Sequence, residues 1–131
     1  MTMVDSSVWV DYFRGTPTPQ VAWLEKAIGD DADLCICGTV LTEVLQGVRS
    51  DAELATVQQA MDELVYLETS RHDHVHAAEV YRAARKKGRT VRNAVDCVIA
   101  ACAIAHDIPL LQSDRDFESI ASVSRLRLIT P

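Results

Sequence analysis

The sequence contains no apolar run long enough to cross a membrane. Its longest runs, such as Val98–Ala105, fall far short of the roughly 20 residues that a membrane-spanning helix needs. No charged segment followed by an apolar one precedes Asp5, so we expect no signal peptide, no membrane contact and a cytoplasmic location. Repeats, low-complexity stretches and linkers are also absent, and residues 1–131 suit a single domain.

Cysteine is present without the spacing of a zinc site. A zinc knuckle needs a C-x-x-C pair together with a partner pair, and the four cysteines offer neither. Cys35 and Cys37 alternate along a predicted strand, while Cys97 and Cys102 fall in an apolar helix. We therefore expect all four to be buried free thiols.

Positive charge is in deficit, because 19 acidic residues outnumber 13 basic ones and the formal net charge is −6. An acidic chain is a poor general binder of nucleic acid, since phosphate contacts need Lys and Arg. The same excess of carboxylates is what a cation site requires. Aromatic residues make up 5% of the chain and do not alternate with basic ones as in a base-stacking platform. The positions of the charges are therefore more informative than their sum.

Short apolar strands alternate with longer helical segments along the chain. The patterns predict strands at residues 2–4, 34–37, 65–67 and 108–111, with residues 126–129 closing the sheet. They predict helices after a cap at Ser6 or Ser7, at 20–28, from 38 onward, at 50–63, 71–87 and 93–106, and after a cap at Asp116. This alternation predicts an α/β fold with a central parallel sheet of four to five strands.

Acidic residues stand where such a sheet gathers its ligands, at the carboxyl ends of strands. Asp5 ends the first strand, Glu43 lies on the helix after the second, and Asp114 follows the fourth. Asp96 is the only acid in an apolar helix, where an unpaired charge costs several kcal/mol. If the four carboxylates converge, their mutual repulsion requires a cation. Mg²⁺ or Mn²⁺ suits such ligands, and two such ions about 4 Å apart can activate a water to attack a phosphodiester.

Each acid also has a purely structural interpretation. Asp5 and Asp116 can cap the helices that follow them, and Glu43 can be a solvated helix residue. Asp96 is harder to explain in this way, because its neighbours are apolar and aspartate is a poor helix former. Asn93, one turn earlier, can hydrogen-bond the Asp96 carboxylate or orient a water. The interpretation as a metal site therefore depends on the acids as a set.

Four segments carry a resemblance to a known family. Val4–Gly15 (VDSSVWVDYFRG) resembles the opening strand and helix of the PIN-domain ribonucleases, and in particular of the VapC-type toxins of bacterial toxin–antitoxin pairs. Thr42–Val48 (TEVLQGV), Asn93–Ala101 (NAVDCVIAA) and Ser113–Phe117 (SDRDF) are similar to the family's later acidic motifs, in the same order. The resemblance covers nearly the whole chain and implies a PIN-like α/β domain.

The resemblance also implies site residues and an activity. The metal-binding and catalytic set would be Asp5, Glu43, Asp96 and Asp114, with Asp116 as an auxiliary ligand. The implied activity is that of a toxin, a Mg²⁺- or Mn²⁺-dependent endoribonuclease that cuts RNA such as tRNA or rRNA. The chain departs from the family pattern at Asn93, where Ser or Thr is common, and at Gln112, where Thr is common.

Two partners are implied by the same resemblance. One is a cognate VapB-type antitoxin whose C-terminal segment covers the acidic site, and the other is a second copy of the chain in a homodimer. Trp9, Tyr12, Phe13 and Trp23 provide apolar material for such contacts and fit a core equally well, and we expect Trp9 in the core.

Basic residues cluster just before the Asp96 helix. The stretch consists of Arg82, Arg85, Lys86, Lys87, Arg89 and Arg92. It can guide an RNA backbone toward the site, or it can complement the dipole at a helix C-terminus. The expected RNA contacts are Arg89, Arg92, Asn93 and Arg115. A further cluster, His72, His74 and His76, lacks the carboxylate context of a zinc site and is expected to be a solvated helix start.

Two other functions remain open at this level. One is a PIN-domain nuclease of RNA processing that is not a toxin, and the other is a non-catalytic PIN-like module that binds proteins. The presence of every acid of the family pattern argues against the second. Toxicity on expression that the neighbouring gene's product relieves would distinguish a toxin from the first.

Overall fold

The central sheet joins segments that lie far apart in the chain. A computed structural model describes residues 1–131. Its strands are β1 (Thr2–Val4), β2 (Leu34–Cys37), β3 (Val65–Leu67) and β4 (Leu110–Leu111). They run parallel in the order β3-β2-β1-β4, which places the carboxyl ends of β1 and β4 side by side. The predicted α/β class with a central parallel sheet is confirmed, and the sheet has four strands, the lower of the four to five predicted.

Seven helices connect and flank the strands. They are α1 (Ser6–Arg14), α2 (Pro19–Gly29), α3 (Gly38–Gln46), α4 (Asp51–Asp62), α5 (Arg71–Lys86), α6 (Ala94–Ala105) and α7 (Asp116–Ala121). Polar side chains cap the N-termini of five of them through Asp5, Thr18, Ser50, Ser70 and Asn93. No helix has both the length and the apolar character needed to span a membrane. Exposed His72 and His74 lie in the first turn of α5, as expected of a solvated helix start.

The core lies around β2 and α6. All four residues of β2 are buried, and seven of the 12 residues of α6 are buried as well. The four cysteines are buried and free, as predicted. Trp9 is buried too and belongs to the core, whereas Tyr12, Phe13 and Trp23 pack against the core and are partly exposed. This apolar packing holds α6, and with it Asp96, against the sheet.

The fourth strand is shorter than predicted. Only Leu110 and Leu111 are in strand conformation, because Pro109 has no N–H to give to a neighbour. The carbonyl of Pro109 still accepts a bond from the N–H of Met3 at 3.0 Å. The predicted closing strand at 126–129 is reduced to one parallel bridge between Leu110 and Leu128.

Two predicted helix caps are wrong. Asp5, and neither Ser6 nor Ser7, is the N-cap of α1. Asp116 is the first residue of α7 and caps nothing, because Arg115 occupies the cap position without a side-chain bond. Asp114 takes over the role predicted for Asp116, since its Oδ1 accepts the N–H of Asp116 at 2.9 Å. The side chain of Asp116 is therefore available for other contacts.

Candidate metal centre

Six acidic residues line one open cleft at the carboxyl edge of the sheet. The cleft has a volume of about 560 Å³, and Val10 is the one hydrophobic residue among the 12 that surround it. One of the six is Asp11, and the other five are Asp5, Glu43, Asp96, Asp114 and Asp116. The structure thus brings together all the acids named from the sequence. Asp96, Asp114 and Asp116 are especially close, with one oxygen of each within 4.8 Å of the others.

Asp5 uses one oxygen as a helix cap and leaves the other open. Its Oδ2 accepts the backbone N–H of Ser7 at 3.1 Å and the Ser7 hydroxyl at 2.6 Å. Its Oδ1 is buried and accepts no hydrogen bond. A buried acceptor without a partner is costly, and a cation in the cleft would remove that cost. The two interpretations of Asp5, helix cap and metal ligand, are therefore compatible.

The other carboxylates follow the same division between their two oxygens. Glu43 accepts the Ser6 hydroxyl through Oε1 at 3.1 Å. Asp114 accepts through Oδ1, and Asp116 accepts through Oδ2. In each case the second oxygen is left without a protein donor. No hydrogen bond stabilises the Asp96 carboxylate, which leaves both of its oxygens available.

Burial and mutual repulsion raise the pKa of three of these carboxylates. Burial, followed by the charges of Asp5, Asp114, Glu43 and Asp116, raises the pKa of Asp96 to about 7. Burial also raises the pKa of Asp5, despite the opposing bonds from Ser7. Burial and the Asp5 charge raise the pKa of Glu43. A cation would reverse these shifts, because it stabilises the ionised forms.

This donor set fits a hard divalent cation. The charged ligand atoms are all carboxylate oxygens, and no His or Cys lines the cleft. Mg²⁺ and Mn²⁺ prefer such oxygen ligands, whereas zinc sites are usually built with nitrogen or sulfur. The unpaired Oδ1 of Asp5 is an independent sign that a positive group is needed in the cleft.

The residues predicted to contact RNA are distributed around this centre. Arg92 and Asn93 line the cleft, and Arg115 lines an adjoining cavity of about 410 Å³. Arg89 is exposed and lies outside both. The bond suggested from Asn93 to Asp96 is not formed, because Oδ1 of Asn93 accepts the N–H of Val95 at 3.0 Å as the cap of α6.

Sequence reasoning missed the supporting role of two serines. Besides bonding Asp5, the Ser7 hydroxyl accepts the backbone N–H of Ser113 at 3.1 Å and so ties the end of β1 to the segment after β4. Ser6 orients Glu43, which is 37 positions away in the chain. Their positions directly after a strand-ending aspartate are the only sequence signal, and that signal was interpreted as helix capping alone. Asp11 also lines the cleft and carried no separate signal.

Comparison with known proteins gives the same assignment along nearly the whole chain. Residues 2–123 match the family model described as PIN domain. The chain is 34% identical over 129 residues to Ribonuclease VapC11 of Mycobacterium tuberculosis, which covers 97% of this chain and 96% of that protein. It is 36% identical over 95 residues to Ribonuclease VapC21 of the same species, and this match covers 70% of this chain and 68% of that protein.

Solved structures show the same fold at lower sequence identity. VapBC2 from Rickettsia felis, bound to a DNA fragment from its promoter, superposes with a TM-score of 0.78 at 17% identity, over 98% of this chain and 96% of that one. DNA-bound VapBC from Salmonella typhimurium superposes with a TM-score of 0.76 at 19% identity, over 98% of this chain and 98% of that one. Together with the sequence matches, these similarities show that the chain belongs to the PIN-domain family and to its VapC-type ribonucleases.

Proposed function

We propose that the protein is the toxin of a type II toxin–antitoxin pair and acts as a metal-dependent endoribonuclease. One observation carries this proposal: five carboxylates, each with at least one oxygen that no protein donor contacts, share a single cleft. The ribonuclease names of its relatives support the choice of RNA as substrate.

The proposed cofactor is Mg²⁺ or Mn²⁺, and the proposed ligands are Asp5, Glu43, Asp96, Asp114 and Asp116. When bound, such an ion would supply an activated water and stabilise the negative charge that develops on the phosphodiester. The chain's own residues orient the ligands. The Ser7 hydroxyl donates to Oδ2 of Asp5, and the Ser6 hydroxyl donates to Oε1 of Glu43. The other oxygen of each carboxylate is left for the ion.

For the substrate, we propose that Arg89, Arg92, Asn93 and Arg115 contact the RNA. Guanidinium groups bind phosphate oxygens in a bidentate manner, and the basic stretch that ends at Arg92 includes exposed residues at the C-terminal end of α5. Family resemblance favours tRNA or rRNA as the target, and we place the protein with these RNAs in the cytoplasm.

A cognate VapB-type antitoxin and a homodimer complete the proposal. The antitoxin is supported by the solved neighbours, which are VapBC complexes. For either partner, an apolar cavity of about 500 Å³ offers a contact surface, since nine of its 13 lining residues are hydrophobic, Tyr12 and Phe13 among them.

The test is cleavage of total RNA by purified protein with Mg²⁺ or Mn²⁺ and with excess EDTA. We expect cleavage with either ion and none with EDTA, and Asp5→Asn and Asp96→Asn should each lower the rate at least a hundredfold without unfolding the protein. Glu118→Gln is the matched control, because Glu118 is exposed on α7 and lies outside the cleft. Cleavage that persists in EDTA would overturn the proposal. Toxicity on expression, relieved by the adjacent gene's product, would establish the toxin role.

A further inference from the structure

A single basic side chain lies among the carboxylates of the cleft. Arg92 is the one Lys or Arg among the 12 residues that surround it. Its Nη2 donates to Asp114 Oδ1 at 2.9 Å, and its Nε donates to Asp116 Oδ2 at 3.3 Å. The guanidinium therefore bridges two of the three aspartates whose oxygens lie closest together.

This bridge is not what orients the two carboxylates. Each oxygen that the guanidinium contacts also accepts a backbone N–H. Asp114 Oδ1 accepts the N–H of Asp116 at 2.9 Å, and Asp116 Oδ2 accepts the N–H of Arg92 itself at 3.0 Å. These backbone bonds would remain if the side chain were removed. The distinctive contribution of the guanidinium is therefore its positive charge.

The geometry also leaves room for a cation beside the guanidinium. Arg92 contacts Oδ1 of Asp114 and Oδ2 of Asp116, and the second oxygen of each accepts no hydrogen bond from the protein. The Arg92 side chain is 70% exposed, whereas the side chains of Asp114 and Asp116 are 30% and 9% exposed, so water reaches the guanidinium end of both ion pairs. The guanidinium can therefore leave the aspartates for solvent or phosphate once another cation neutralises them.

We infer that Arg92 is a resident counter-ion, which partly neutralises Asp114 and Asp116 in the ion-free protein and lowers their affinity for divalent cations. The inference rests on the proposed metal-dependent function. Once cations neutralise the two aspartates, the guanidinium loses its attraction to them and becomes available to the phosphate of the RNA. Arg92 thereby links metal loading to substrate binding.

The experiment measures Mn²⁺ binding in the absence of RNA, from the electron paramagnetic resonance signal of the free ion. We expect Arg92→Gln to bind Mn²⁺ about three- to tenfold more tightly than the wild type, because one positive charge close to a divalent cation has been removed. Arg92→Lys should stay near the wild type. Arg89→Gln is the matched control, since it removes the same charge from an exposed position outside the cleft, and we expect little change.

Several outcomes would overturn the inference. Weaker Mn²⁺ binding by Arg92→Gln would show that the side chain positions the ligands. An equal gain for Arg89→Gln would show a general charge effect. If the wild type binds no Mn²⁺ at millimolar concentrations, the proposed metal-dependent function fails as well, whereas normal binding without a gain in Arg92→Gln removes this inference alone. A larger Mn²⁺-induced rise in Tm for Arg92→Gln gives a second measure and confirms that the variant is folded.

Discussion

The two oxygens of one carboxylate have different roles in this cleft. Asp5 uses Oδ2 to begin α1 and leaves Oδ1 buried without a partner. Asp114 likewise uses Oδ1 to accept the first N–H of α7. Structural and chemical roles are thus combined in the same residue, and substitution of either aspartate should affect folding as well as ion binding. Conservative Asp→Asn changes are the better probes, because they keep one acceptor oxygen.

Asp96 should make the metal-free protein sensitive to pH. Its pKa lies near 7 in the folded protein and near the ordinary aspartate value of 3.8 in the unfolded chain, so the folded state favours the protonated form. The stability that this group contributes is full below about pH 4 and is lost as pH rises through about 7. We expect the free energy of unfolding in EDTA to fall across this window by an amount on the order of a few kcal/mol.

Urea denaturation at several pH values measures this effect. Asp96→Asn cannot ionise and should lack this part of the decline, whereas the exposed control Glu118→Gln should follow the wild type. Parallel curves for the wild type and Asp96→Asn would show that Asp96 ionises normally in the folded protein.

At the scale of elements, the connection between α5 and α6 carries much of the proposed RNA surface. α5 ends at Lys86, and Gly88 follows with a φ of +70°, a left-handed conformation that L side chains rarely adopt. The turn directs the chain toward Arg92, whose backbone N–H bonds Asp116. The geometry of the turn therefore helps to set the position of the guanidinium.

We expect Gly88→Ala to lower the free energy of unfolding by about 1 kcal/mol, because alanine is strained at positive φ. Gly29→Ala is the matched control: Gly29 is the last residue of α2, has no positive φ and has open space around it, so alanine should be neutral or slightly stabilising there. Thermal unfolding of both variants measures the difference. Equal effects on Tm would contradict a requirement for glycine at position 88.

At the scale of the whole molecule, a net charge of −6 opposes the approach of RNA. Binding then depends on the local basic stretch, which includes Lys86 in the last turn of α5. The same lysine can also stabilise the helix through its dipole, so the two interpretations of the stretch need an experiment to separate them.

Salt dependence of cleavage separates the two roles of Lys86. If Lys86 contacts an RNA phosphate, Lys86→Gln should raise KM and leave kcat unchanged. It should also reduce the slope of log kcat/KM against log salt concentration by about 0.7. Lys26→Gln removes the same charge from α2, where Lys26 forms an exposed ion pair with Asp30, and should change none of these values. A lower Tm for Lys86→Gln with unchanged KM would indicate the helix-dipole role alone.

The sequence by itself was enough to predict the fold class and to name five acids that the structure places in one cleft. Alternating strands and helices predict a parallel sheet, and the carboxyl ends of its strands predict where Asp5 and Asp114 meet. These features depend on short-range patterns, since the alternation of side chains in a strand and the periodicity of a helix relate residues only a few positions apart. The apolar neighbours that single out Asp96 are likewise a short-range pattern, because they lie within one or two turns of it on the same helix.

Only the tertiary structure decided which atom contacts which. It paired Arg92 with Asp114 and Asp116, joined Ser6 to Glu43, and used Asn93 as a cap for α6 in place of a bond to Asp96. Hydrogen bonds require donor and acceptor to be placed within a few tenths of an ångström. Sequence spacing cannot specify this for residues on separate elements, because their relative positions result from the packing of the entire core.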